Sequence, residues 1–449
     1  MTERLKEQLQ RLGDEAPELR LPSDAWAQGR RARHRDHLLT GLLLVVVVAL
    51  AGTLLRVTPA SRMAAEMVAP RTEPADGVPD RLRPGSDLAV APNLAVGVTS
   101  VVYVDQERRV VAVAADRGSY RLLPLPRGLT SPHGGAVALD RSGTMLAYTW
   151  MRENDSGGPE VLTGFDVADL TTGRLQRYRL NGRAGIDVTD LVWSPQGRWL
   201  AWRGLQASRL SSDGVGVQGR FGREAIGRLD LTTGGIVQER LPAVAARGIT
   251  VDEDGVVWVF GSRATASRTL PGWARRPASP PAPENLQESA PASPNGRVLL
   301  LGEGGAAASP AMVVAGLPGP EYADLNPQFS AGSRASARTV GWIDDSHALV
   351  QVTGYGDREG DYTPVESLSL AIVDIRATSG DTRQVTHIDD PESVRHLEVA
   401  TDLMTLDRPT VSRPGPWSFA GTLLVAGLSA LVLALAVALV VRRRRLPRP

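Results

Sequence analysis

One local pattern recurs five times and restricts the fold more than any other feature of the chain. It occupies Leu139–Trp150, Trp193–Gly204, Val251–Ser262, Ala292–Glu303 and Trp342–Thr353. Each copy has an apolar or small residue, a polar turn, and then a run of aliphatic or aromatic residues. Asp or Pro opens the turn, and Gly143, Gly197, Gly255 and Gly296 sit where a hairpin needs positive φ; Ser346 takes that place in the fifth copy. The pattern predicts five β-hairpins. Successive turn positions are 54, 58, 41 and 50 residues apart.

A second element follows in three of the units, at Phe165–Gly173, Leu229–Gly234 and Val373–Gly380. Each precedes a strand of alternating polarity, such as Arg177-Tyr178-Arg179-Leu180. Two hairpin signatures per repeat are what a four-stranded antiparallel unit requires. Residues 88–130 supply a further unit through Val101–Val104 and Val110–Val113, and Val394–Val399 is placed to close a ring by pairing with it.

Trp193-Ser194-Pro195-Gln196-Gly197-Arg198-Trp199-Leu200-Ala201-Trp202 is similar to the hairpin of TolB-like, WD-type β-propellers. Gln196 stands where that family usually has Asp. The resemblance spans roughly residues 88–408. It implies an all-β fold, a β-propeller of about six blades (range five to seven), and carries little about function, because propellers host many roles.

Two uncharged apolar runs flank this region, 38–55 and 417–441, each long enough to cross ~30 Å of hydrocarbon. Arg30, Arg31, Arg33 and Arg35 precede the first, and Arg442, Arg443, Arg444 and Arg445 follow the second. Read as topology determinants, they predict two transmembrane helices in the cell membrane, both termini cytoplasmic and the main domain extracytoplasmic. Ala49-Leu50-Ala51 resembles a signal cleavage site, but the long polar leader favours an uncleaved anchor. The expected organisation is a tail at 1–37, a span at 38–55, and a Pro-rich linker at 56–87. A propeller at 88–408 follows, with a disordered insertion at 271–294, then a linker at 409–416, a span at 417–441 and a basic end at 442–449.

The formal net charge of +1 gives no electrostatic case for nucleic acid. Lys6 is the only lysine, an arginine bias typical of a GC-rich bacterial genome. With no cysteine, disulfides, cysteine nucleophiles and Cys-bound zinc are excluded. No Gly-x-Ser-x-Gly elbow and no phosphate-binding Gly-x4-Gly-Lys occurs. His34, His37, His133, His347, His387 and His396 are scattered over different segments. Asp252, Glu253 and Asp254 read as turn residues, whereas Asp357, Glu359 and Asp361 have spacing weakly suggestive of a Ca²⁺ loop. No cofactor is expected. Trp150, Trp193, Trp199, Trp202, Trp258 and Trp342 read as packing between blades, with one or two near a channel mouth.

Together these features predict a non-catalytic binding or scaffolding module at the bacterial envelope. Its partners would be the lipid bilayer and a protein or envelope glycan held by long loops at 203–222, 263–290 and 354–365. The alternative is an envelope sensor. Leu19, Leu21, Pro22, Asp24 and Trp26 form a short tail segment that looks like those of actinobacterial proteins tied to sigma-factor control, and would be its docking peptide.

Overall fold

The structure is a computed structural model. It describes residues 76–412 apart from 86–87, 126–135, 154–160, 181–184, 211–216, 241–245, 262–263, 269–272, 278–288, 303–311, 317–321, 326, 328, 330–333, 357–362 and 377–380. Contacts divide the chain into units at 1–73 and 74–449, and every described residue belongs to the second.

The described residues are strands joined by turns, with two short 3-10 segments. A two-residue strand, β1 (Arg81–Leu82), comes first. Three strands follow: β2 (Thr99–Asp105), β3 (Val110–Ala114) and β4 (Tyr120–Leu122). Two four-strand groups come next. The first holds β5 (Val137–Leu139), β6 (Met145–Glu153), β7 (Val161–Asp169) and β8 (Leu175–Arg179). The second holds β9 (Ile186–Trp193), β10 (Trp199–Leu210), β11 (Val217–Asp230) and β12 (Gly235–Arg240). Then come β13 (Ala246–Val251), β14 (Val257–Gly261), β15 (Ala264–Arg268) and β16 (Trp273–Pro277), and a trio of β17 (Val298–Gly302), β18 (Met312–Gly316) and β19 (Tyr322–Leu325). The last group is β20 (Ala335–Trp342), β21 (His347–Tyr355), β22 (Val365–Asp374) and β23 (Thr382–Ile388), and β24 (Val394–Val399) ends the series.

These strands form six sheets, antiparallel except where β1 joins β23, in a propeller-like arrangement. In the first sheet β24 lies beside β2, with Val101 opposite Val399 and Tyr103 opposite Leu397, so strands from the two ends of the domain share one ladder. The inner strands neighbour one another in sequence order: β24 with β5, β5 with β9, β9 with β13, and β20 with β24. The β17–β19 sheet has three strands, and residues 289–293 take its inner position. Ser293 N–H donates to Val298 C=O, and Ala290 N–H donates to Ile249 C=O of β13.

Alternation along each strand builds the core. Val101 and Tyr103 of β2 pack in a cluster with Leu349, Leu368, Leu370 and Leu397, while Val102 and Val104 point the other way, into a cluster with Leu139, Leu146 and Leu170. A strand sandwiched between two neighbouring sheets is buried on both faces, which is why β2 has no polar face. Trp193, Trp202 and Phe165 fill the next interface, and Trp342 with Val350 and Met312 another. All six tryptophans expected to pack between blades are buried.

The expected hairpins form. Gly143, Gly197, Gly255 and Gly296 all have positive φ, between 68° and 74°. In the second element, Gly173 and Gly234 do as well.

The linkers differ from expectation. Part of the stretch 56–87 belongs to the fold: Val78 and Leu82 are fully buried, and β1 adds a parallel fifth strand beside β23. Two apolar residues four positions apart outweigh the neighbouring prolines. Pro79 lacks an N–H but needs none at this edge, and its carbonyl accepts from Thr386 Oγ1. Val411, expected in the exit linker, donates its N–H to Val78 C=O. The stretch 271–294 contains β16 and the inner segment 289–293, so it is not one disordered insertion. The loop at 203–222 is mostly strand: β10 continues to Leu210 and β11 begins at Val217.

Candidate functional site

Inner strands β5, β9, β20 and β24, with residues 289–292, enclose a central channel of about 740 Å³. Its two ends differ in chain length. At one end the first two strands of each unit are joined by tight turns, 140–144, 194–198, 252–256, 293–297 and 343–346. The longer connections, such as 123–136, 278–288, 303–311, 326–334 and 356–364, all leave from the opposite end. Tight turns leave no spare chain for recognition, whereas long connections do.

The turns are built by their carboxylates. Asp140 accepts from Thr144 N–H and Met145 N–H at 2.9 and 2.7 Å, and from the Ser142 hydroxyl. Burial pushes its carboxyl above the usual range, and those hydrogen bonds oppose the shift. Asp252 repeats the arrangement, accepting from Asp254 N–H, Val256 N–H and the Trp258 indole, and it too is raised by burial. Glu253 accepts from Gln196 N–H in the neighbouring unit and is raised by burial. These acidic residues close turns and join units.

Two polar groups face the channel. On the β9 wall, Asp190 Oδ2 pairs with Arg203 Nε at 2.8 Å, and Ser289 Oγ donates to Asp190 Oδ1 at 2.6 Å. Thr189 Oγ1 also donates to Asp190. On the opposite side, Glu398 of β24 lies 2.8 Å from His396 Nε2 and 3.6 Å from Arg338 of β20. Arg338 also donates to Leu397 C=O at 2.6 Å and to Gln351. His396 Nε2 is 3.1 Å from Val137 C=O of β5. This chain of contacts runs across three inner strands, β20, β24 and β5. Ser336 and Tyr355 meet at 3.1 Å toward the end with long connections. Near the turn end, the indoles of Trp193 and Trp342 pack between sheets and donate to Ala138 C=O and Pro291 C=O.

Asp190, Arg203, Ser289, Arg338 and Glu398 did not stand out in the sequence. The available signal was a polar residue at alternate positions of otherwise apolar inner strands, as in Val394-Arg395-His396-Leu397-Glu398-Val399. The tail residues Leu19, Leu21, Pro22, Asp24 and Trp26 lie outside the described residues, as do Arg30, Arg31, Arg33, Arg35 and Arg442, Arg443, Arg444, Arg445. So do His34, His37, His133, and the acidic set Asp357, Glu359 and Asp361. Among the described residues no group of three or more His, Cys, Asp or Glu converges as a metal site would.

No family model matches the chain, and no curated protein does. Solved structures similar to it include the β-propeller domain of the Trilobed protease from Pyrococcus furiosus, at 13% identity, 55% of this chain and 70% of that one, TM-score 0.31. A puromycin hydrolase matches at 13% identity over 65% of this chain and 44% of its own, TM-score 0.40. An oligogalacturonate lyase in complex with manganese matches at 12% identity, 64% and 73%, TM-score 0.37.

Two expectations are corrected. The exclusion of catalysis is withdrawn, because a propeller fold does not settle catalysis and a missing sequence motif does not rule out a constellation assembled in three dimensions. The two-pass membrane location is also withdrawn: among the described residues no helix is long and apolar enough to cross a membrane, and both apolar runs lie outside those residues.

Proposed function

We propose that the six sheets are six blades of one propeller of TolB-like type, and that it acts as a binding module. Its partner engages the end from which the long connections leave. The observation that carries this reading is the asymmetry of the two ends: tight, self-satisfied turns at one, and at the other the strand ends from which the long connections leave. The Trp193–Trp202 hairpin supports the family reading. A rigid ring that holds connections of variable length is a scaffold on which recognition is set by loops.

The test is a photoreactive residue placed at Thr363, on the long-connection end, compared with one at Gln196, on the turn end. A saturable adduct at position 363 that excess unlabelled protein competes away, with none at 196, is the expected result. Adducts only at 196 would reverse the assignment of the binding face.

A further inference from the structure

We propose that the central channel itself binds a neutral, hydroxyl-rich ligand, a sugar, held between Asp190 on one wall and the Arg338–Glu398 pair on the other. This does not rest on the loop-face reading, since a ligand inside the channel needs no partner at its mouth. At about 740 Å³ the space is within the range of small-molecule sites and larger than one hexose.

The charge of the walls selects against ions. Among the described residues the channel is lined by three carboxylates, Asp190, Glu392 and Glu398, and three guanidiniums, Arg141, Arg338 and Arg395. Asp190 is matched by Arg203 behind it, Glu398 by Arg338, and Arg141 by Asp402 at 2.8 Å. Glu392 and Arg395 are exposed, but an ionic ligand seated between Asp190 and the Arg338–Glu398 pair would have to break one of these pairs and leave a half-buried charge without its complement, which is costly.

The same pairs suit hydroxyls. A carboxylate beside a guanidinium presents an acceptor and a donor next to each other. Two vicinal hydroxyls present the matching donor and acceptor without net charge. Asp190 Oδ1, which accepts from Ser289 Oγ, has a further lone pair to accept from a ligand hydroxyl. Units follow one another around the ring as β24, β5, β9, β13, residues 289–293 and β20, so β9 and β20 lie across the channel from each other.

Calorimetric titration of the full chain tests this with maltose, cellobiose and diacetylchitobiose as neutral probes. Digalacturonate serves as the anionic probe, the chitosan dimer as the cationic one, and a blocked diglycine as a neutral amide. The expected result is saturable binding of at least one neutral disaccharide at millimolar concentration or below, weakened about tenfold in Glu398→Gln, with both charged disaccharides about tenfold weaker. If Glu398→Gln lowers the unfolding midpoint, Thr353→Val, which removes a channel hydroxyl without touching an ion pair, replaces it. The proposal is overturned if no neutral disaccharide binds at millimolar concentration, if a charged probe or the diglycine binds more tightly, or if a folded variant binds as well as the parent.

Discussion

Replacing Leu397 by alanine asks whether β24 closes the ring or merely decorates its edge. Leu397 is fully buried in a cluster that joins the last sheet (Val340, Leu349, Leu368) to the first (Val101, Tyr103, Val111). It pairs with Tyr103 across the β2–β24 ladder. Both sides of the cavity left by truncation would be strands held by their own hydrogen bonds, so the site would collapse poorly. The cost is then about 3 kcal/mol, a large share of a typical domain's total. Urea unfolding followed by tryptophan fluorescence reads it, because the buried tryptophans lie in the sheets of β5–β8, β9–β12, β13–β16 and β20–β23. Leu175→Ala is the control: this residue of β8 is 40% exposed, and its loss is worth less than about 0.5 kcal/mol. Hydrogen exchange supplies the second reading. Closure predicts that protection falls in several sheets together. A change below about 1 kcal/mol, or lost protection confined to 394–399, would refute the argument that one cooperative ring is locked by this strand.

Two more results are expected. Gly143 and Gly197 have nearly the same positive φ, 74° and 73°, yet a Cβ at Gly143 would run into Thr99 C=O while one at Gly197 meets open space. Gly143→Ala is therefore the more damaging, by at least about 1 kcal/mol in chemical unfolding, and equal losses would contradict the packing described. Hydrogen bonds from the hydroxyls of Thr171 and Thr172 hold the Asp169 carboxyl at about 2, below the usual range. A depressed folded value means stability that is present above the ordinary carboxylate range and lost as pH falls toward about 2. In Thr171→Val/Thr172→Val, NMR titration of Asp169 should give a value returned toward the ordinary range, and an unmoved titration would remove the hydroxyls as its cause.

The linkers show where local reading fails. Val78 and Leu82 sit among prolines and read as a spacer, but their burial depends on β23 and on Val411, more than 300 residues away in the chain. Similarly, residues 289–293 follow a Pro-rich stretch and have no strand pattern. They occupy an inner position because β13 and β17 supply the hydrogen-bond partners on both sides.

What the sequence determined alone is what lies within one unit. A glycine at positive φ, an Asp or Pro opening the turn and a run of aliphatic residues act over fewer than a dozen residues, so the hairpins at 143, 197, 255 and 296 were legible. The closing strand was legible too, because a ring needs a partner for its first unit and 394–399 was the remaining strand. Tertiary structure alone decided the channel. Asp190 meets Ser289 across 99 residues, and Arg338 meets the carbonyl of Leu397 across 59, so their distances are set by how whole sheets pack around an axis. Period-two alternation places a side chain on one face of a strand, but only the stacking of neighbouring sheets decides whether that face meets core or channel.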